Sequence, residues 1–480
     1  MYIVVVKLYG SESMMYDVVV VGAGFNGTIA AYFLAKKGFQ TLLIERGRAL
    51  GDKTQGPTEF PTLSIYKRDP ELYNLLANVV KEVPHMINDF VMGSYYYYID
   101  KNNKVRFKFY HDSPGSVPED HYIVHNPSYI RKLGEKIAEV GAEIKTGTAV
   151  VDVIKEGDTI KGVVTDKGEK IEAKLTIAAD GRISTVARKA GLLTKWDEKD
   201  WHYQYGEAWK FKSEDEMFEA TEYARYHFSG PTITPFTYFG ATLTHRPGAI
   251  VTVNMPTGVP LSYMNKNPRW YAMNLYQVKD VRQMLGKCEG FPNKPLQRYA
   301  TVYPHFVAPL EKSYMNGLLV IGDAAGGCGV IAHGRAASQI AIEALEANDV
   351  SEGRLAKYQD FLNLQKRAFD KLMKIMFNIK GPGLVGETDI EEFIENMRLA
   401  GPPFIIGVPN PEKIGFEALQ GALPGGFDEV VAWHVAIKIN YILQLFGPIL
   451  QMPEYLPKII KWIRRNQESF KKRKVWDSPF

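Results

Sequence analysis

The sequence predicts an α/β chain, α+β overall: a Rossmann-like dinucleotide-binding domain with an inserted antiparallel β-sheet domain and a helical C-terminal region. Three observations predict it. A strand, glycine-rich turn, helix and second strand open the chain; two later apolar strands run into Asp-Gly and Gly-Asp pairs; an aromatic-rich stretch lies between them. With 480 residues the chain can build two or three domains, each with a full core. Hydrophobic residues at 45% and charged residues at 23% are globular values that exclude a disordered or collagen-like chain. Cys288 and Cys328 stand far apart in no CxxC or Cys/His cluster, which argues against a zinc site, an iron–sulfur site or a disulfide framework.

The first unit carries the strongest signal. Residues 16–22 read as a β-branched buried strand, Gly22-Ala23-Gly24-Phe25-Asn26-Gly27 is GxGxxG, residues 28–37 read as a helix, and 41–45 form a second apolar strand closed by Glu45. Each part has a physical task. Gly22 makes the tight turn, Gly24 admits a pyrophosphate to the backbone, Gly27 lets helix and strand pack closely, and the helix N-terminus offers N–H groups to the anion. Glu45, 21 residues beyond Gly24, is placed to accept both ribose hydroxyls. An acid there favours a 2′-hydroxyl over a 2′-phosphate, which leaves NAD or FAD.

Two later strands separate these. Residues 175–184 run into Asp180-Gly181, and 317–326 into Gly322-Asp323. Each acid could meet a ribose or ribitol hydroxyl, with the next helix N-terminus aimed at a phosphate or a reduced flavin. All three motifs in this order resemble the para-hydroxybenzoate hydroxylase type of FAD fold. A narrower likeness follows Glu45: Arg46-Gly-Arg-Ala-Leu-Gly-Asp52-Lys53-Thr-Gln55-Gly56 is similar to the Gly-Asp-Lys-x-Cys-Gly stretch of the archaeal geranylgeranyl reductase family. Residues 315–323 look like that family's late FAD strand, and 127–154 like its helix-then-strand connection. The electron-transferring flavoprotein dehydrogenases share this body.

The resemblance implies FAD as cofactor, with contacts along Arg46, Asp52, Lys53 and Gly56, and with backbone near Val150 facing adenine. Three departures mark this chain. Gln55 stands where the family carries Cys, and it cannot donate a proton as a thiol would. Val330 and His333, followed by Gly334, replace the usual Pro and first Gly before the flavin-facing helix. Asn126 replaces an Arg before the middle helix, with Arg131 nearby as a substitute. Gln55 and His333 are thus the candidate catalytic residues, His333 because an imidazole titrates near neutrality. No metal ligand set is read.

The middle of the chain is where substrate is expected. From 201 to 240, 12 of 40 residues are aromatic, a density that suits an apolar pocket or, equally, a sheet core. Residues 95–98 and 105–110 alternate like a hairpin of the same sheet. The expected organisation is an extension at 1–15, an FAD-binding domain from 16–95, 125–190 and 300–350, a substrate sheet from 95–125 and 190–300, and a helical region at 351–480. Net charge is +4, but residues 458–480 hold eight basic against two acidic residues, so the body is near neutral and nucleic acid is no expected partner. Leu456, Ile459, Ile460 and Ile463 fall at helical spacing beside Lys458, Lys461, Arg464 and Arg465, a basic amphipathic helix that either docks on the body or lies on an anionic membrane. No run is long and apolar enough to span a bilayer and no secretion signal is read, so a cytoplasmic, at most membrane-peripheral, enzyme is expected.

The resemblance leaves three reactions open. They are reduction of isoprenoid or other apolar lipid double bonds, electron transfer to a quinone, and flavin-dependent hydroxylation. The reductase is preferred, with ferredoxin, NAD(P)H or an electron-transfer flavoprotein as alternative electron donors.

Overall fold

The computed structural model describes residues 15–52, 57–60, 69–87, 94–99, 101–111, 122–193, 201–222, 224–229, 232–233, 241–255, 259–260, 266–304, 310–327 and 331–363. The expected extension up to residue 14, the residues Lys53, Gln55 and Gly56, the position Val330, and the whole basic C-terminal region lie outside these. The chain forms two compact units.

The first unit comprises 1–53, 133–194 and 309–362. Its centre is the strand Tyr16–Val21, whose Val18, Val19 and Val20 are fully buried. A run of β-branched residues with no polar face is what a strand covered on both sides requires. It pairs in parallel with Thr41–Ile44 on one side and Lys170–Ala178 on the other. Glu143–Lys145 and Leu318–Val320 extend the parallel sheet at either end. An antiparallel arm of Val150–Glu156 and Thr159–Thr165 folds back on Lys170–Ala178. The helix Phe25–Lys36 buries nine of its 12 residues, and the helix Ala332–Glu346 packs on it.

The second unit comprises 54–132, 195–308 and 363–480, so residues 54–95 and 125–132, expected with the dinucleotide domain, group with the sheet domain. Eight strands form one sheet. Across it run Val259–Pro260, Trp201–Lys210, Ile250–Asn254, Ala241–Arg246, Arg225–Ser229, Ser94–Ile99 and Val105–His111, with Gln297–Pro304 also paired to Trp201–Lys210. The pairing is antiparallel except between Arg225–Ser229 and Ser94–Ile99, which are parallel. The expected hairpin is the edge pair Ser94–Ile99 with Val105–His111. A small antiparallel sheet of Pro57–Phe60, Tyr122–His125 and His85–Ile87 belongs to the same unit.

One face of the large sheet is packed by the helices Glu214–Thr221, Pro268–Leu275 and Lys279–Leu285. The aromatic density of the middle region resolves here. Tyr205, Trp209, Phe211, Tyr226 and Phe228 are all core residues and Phe218 packs against them. The described aromatic side chains of 201–240 therefore make a sheet–helix core.

This core encloses one carboxylate. Glu207 is fully buried and accepts from the hydroxyls of Tyr205 at 2.5 Å and Tyr276 at 2.7 Å and from Arg298 Nε at 3.0 Å. Arg269 adds a second ion pair at 3.6 Å. Burying a charge requires such a set of donors.

Candidate functional site

The nucleotide-binding turn is built by backbone. Gly22 has φ +99°, and a Cβ there would overlap the carbonyl of Ala179 on the neighbouring strand. A Cβ on Gly27 would overlap the carbonyl oxygen of Gly22, so strand end and helix start touch directly. Gly24 is different: nothing lies within 4 Å of the space its side chain would fill. That space opens in front of the helix Phe25–Lys36, which starts without a side-chain cap and has no acid in its first turn. Its positive dipole end is thus available to an anion. Ala23 and Phe25 are buried beneath the turn.

Glu45 is held by two amides. Ala23 N–H donates to Oε2 at 2.9 Å and Gly47 N–H to Oε1 at 2.6 Å. The carboxylate thereby links the glycine turn to the loop after the second strand, and each oxygen keeps a lone pair for a ribose hydroxyl. The neighbouring loop is pinned alongside: Gly147 N–H donates to Gly47 O at 2.6 Å and Thr148 N–H to Glu45 O at 3.1 Å. Val150 follows at the start of its strand, opposite Thr165. Arg46 is exposed, and the exposed Asp52 closes its own turn by accepting from Ala49 N–H at 2.9 Å.

At the other end of the unit the two acids differ. Asp180 accepts from Ser184 Oγ at 2.6 Å, Thr185 N–H at 2.8 Å and Val186 N–H at 3.1 Å, so it caps the helix Thr185–Ala190. Desolvation pushes its carboxyl pKa upward, and these hydrogen bonds oppose the shift. Gly181 has φ +84° with open space where a side chain would stand. Asp323, half-buried, is paired with Arg182 Nε at 2.9 Å. Arg182 was not among the residues expected from sequence, although it completes Asp180-Gly181-Arg182.

His333 stands at the start of the helix Ala332–Glu346. Its ring is fully buried, with Nδ1 2.7 Å from Tyr358 Oη and its edge against Phe361. The same Tyr358 hydroxyl accepts from Gly322 N–H at 3.3 Å, which couples His333 to the Gly322-Asp323 turn. Burial drives the Tyr358 pKa far upward, so it stays a neutral hydroxyl. Gly334 N–H donates to Asn26 Oδ1 at 2.9 Å and lies against the Asn26 backbone, which joins the two helices.

In the second unit, Arg131 is exposed with Nη2 on Ser128 Oγ at 3.3 Å, whereas Asn126 is buried with an Oδ1 that meets no partner among the described residues. Tyr358, like Arg182, escaped the sequence reading. Its only sequence signal is its place on an apolar helical spacing.

These features fit a nucleotide cofactor: an open cradle at Gly24, an uncapped helix end and an acid set beside both. A family model for FAD dependent oxidoreductases matches residues 17–318. The chain belongs to that family. Its cofactor is FAD, and it is an oxidoreductase. It is 28% identical over 370 residues to a digeranylgeranylglycerophospholipid reductase of Methanocaldococcus jannaschii, covering 72% of this chain and 81% of that protein. It is 25% identical over 380 residues to Protein FixC of Escherichia coli, with 72% and 81% covered. Among solved structures, a geranylgeranyl bacteriochlorophyll reductase-like protein of Thermoplasma acidophilum aligns with TM-score 0.58 and 19% identity, over 96% of this chain and 98% of that one. A point mutant of the halogenase PltM, in complex with FAD, aligns with TM-score 0.62 and 13% identity, over 95% and 97%. These structural likenesses are likenesses of fold. Among the described residues no helix is long and apolar enough to cross a membrane, and no cluster of His, Cys, Asp and Glu could hold a metal ion.

Proposed function

We propose that this FAD-dependent oxidoreductase reduces carbon–carbon double bonds of an isoprenoid or related lipid. The observation that carries the reading is the 28% identity to a digeranylgeranylglycerophospholipid reductase along 72% of the chain. Bound FAD supplies a two-electron carrier that can pass a hydride. The chain's own residues do the rest. The Gly22–Gly27 turn and Glu45 hold the nucleotide at the helix N-terminus. Tyr358 fixes the Gly322-Asp323 turn through the Gly322 amide, and Arg182 neutralises Asp323. Hydride acceptance by an isolated alkene also needs a proton on the other carbon. Gln55 cannot act as a thiol acid, and His333 is the imidazole coupled to the late turn, where Tyr358 holds its Nδ1.

Electrons come from a reduced ferredoxin, NAD(P)H or an electron-transfer flavoprotein. The placement proposed is cytoplasmic, with the basic C-terminal segment reaching an anionic membrane where the lipid resides. Likeness to Protein FixC supports a second reading, electron transfer to a quinone. One anaerobic experiment separates them. The FAD is reduced chemically and a geranylgeranyl lipid is added; the expected result is flavin reoxidation with a mass gain of two hydrogens per bond. Reoxidation by a quinone analogue with the lipid left unreduced overturns the proposal in favour of electron transfer.

A further inference from the structure

Asn26 belongs to the nucleotide turn by its backbone and to the late part of the chain by its side chain. It is the second residue of the helix Phe25–Lys36, inside the uncapped first turn behind the Gly24 cradle. Its Oδ1 accepts from Gly334 N–H at 2.9 Å. Gly334 is the third residue of the helix Ala332–Glu346, and its amide is one that an N-cap Ser, Asp or Asn would take. The residue at that cap is Ile331, which makes no side-chain hydrogen bond there. Asn26 therefore supplies, from another helix, the cap that Ile331 lacks.

Two glycines make this reach possible. A Cβ on Gly334 would overlap the Asn26 carbonyl oxygen, and one on Gly322 would stand 2.8 Å from Asn26 Nδ2. One side-chain amide thus lies against both the start of Ala332–Glu346 and the Gly322-Asp323 turn. That turn is held by further contacts: Gly322 N–H donates to Tyr358 Oη at 3.3 Å and Gly327 N–H to Gly322 O at 2.9 Å. The cap itself is neutral. Ala332–Glu346 has no acid in its first turn, so the positive end of its dipole is held in place without being cancelled. The charged groups around it leave it so: Asp323 in the neighbouring turn is paired with Arg182, and the buried Arg335, next to Gly334, stacks its guanidinium on Phe33. An Asp in place of Asn26 could accept the same hydrogen bond, but its charge would oppose that positive end.

We propose that Asn26 is a positioning residue that ties the positive end of Ala332–Glu346 to the glycine turn holding the nucleotide, and thereby raises the reduction potential of the bound FAD. The proposal takes the start of that helix as flavin-facing, the role the sequence resemblance gives it. Reduced flavin carries more negative charge than oxidised flavin, so a fixed positive end favours the reduced form. A single side chain sets the register between the two cofactor-binding segments, and its neutrality preserves the field that the second one supplies.

The test is the two-electron reduction potential of the FAD-loaded protein, measured against a reference dye for the unaltered chain, Asn26→Ala and Asn26→Asp. Asn26→Ala is expected to weaken the binding of reduced FAD about fivefold more than that of oxidised FAD, which lowers the potential by about 20 mV. Asn26→Asp is expected to lower it at least as far, since it keeps the acceptor for Gly334 N–H and adds negative charge. A role confined to holding the two helices together would weaken both forms of the cofactor equally. An unchanged or raised potential in either variant therefore overturns the proposal, whatever happens to FAD affinity or melting temperature. If Asn26→Ala does not retain FAD, the isosteric Asn26→Asp decides alone by the same criterion. No lipid or quinone takes part in the measurement, so its outcome is separate from that of the substrate reading.

Discussion

In the parallel-sheet unit the groups prepared for a ligand belong to the backbone. Gly22, Gly24 and Gly27 matter for what they lack, and the amides of Ala23 and Gly47 hold the one acid that counts. In the antiparallel-sheet unit the polar groups are side chains sorted by face, Glu207 inward among tyrosines and arginines, Tyr299 and Asn254 outward. A backbone site is fixed by a short contiguous motif. A side-chain site depends on which residues a sheet's register brings into line, and substitutions there act one contact at a time.

The inward cluster should break most severely. Glu207→Ala strips Tyr205, Tyr276 and Arg298 of their common acceptor and is expected to destabilise by about 3 kcal/mol, the low end for a broken buried ion pair because both arginines reach water. Urea unfolding followed by tryptophan fluorescence measures it. A loss below about 1 kcal/mol would mean the cluster only fills space.

A smaller effect is expected at the nucleotide turn. Glu45→Ala should weaken FAD binding by about 1 to 3 kcal/mol, through loss of charge-assisted hydrogen bonds to ribose. Titration of apoprotein with FAD reads it. Unchanged affinity would leave Glu45 with only the structural link between Ala23 and Gly47.

The third test sharpens the comparison inside the first unit, where one side chain does serve a backbone turn. Tyr358→Phe should cost about 1 to 1.5 kcal/mol by leaving the Gly322 amide and His333 Nδ1 without their partner. His333→Asn in the Tyr358→Phe background should then cost less than it does alone, since the two share one hydrogen bond. Additive melting shifts would show that the pair is not coupled.

The contrast also explains how much was legible in the sequence. The strand, GxGxxG turn and Glu45 were readable because each requirement is local: a β-branched run, a glycine where a Cβ collides, an acid one strand later. The aromatic middle was ambiguous because composition does not say which face of a strand a residue takes. Only the cross-strand register shows which side chains face the packed helices and which face away from them. Asp180 read as an acid for a ribose or ribitol hydroxyl, and what the sequence did not reveal is that it also holds Ser184 and the first amides of the helix Thr185–Ala190. His333 read as a candidate proton donor from its residue type alone, and its hydrogen bond to Tyr358, 25 residues away, is not visible in the sequence.

The hydrogen bond between Gly334 and Asn26 spans 308 residues, and Leu318–Val320 is the last strand added beside Lys170–Ala178. A ribosome makes the nucleotide turn long before its supporting partners. Until then Lys170–Ala178 carries an unpaired stretch whose Leu175, Ile177 and Ala178 are fully buried in the finished protein. Such an edge invites pairing with another nascent chain. The most recognisable motif of this sequence is therefore synthesised long before it can be completed, and the yield of the protein in a cell should depend on whatever shields that strand during the wait.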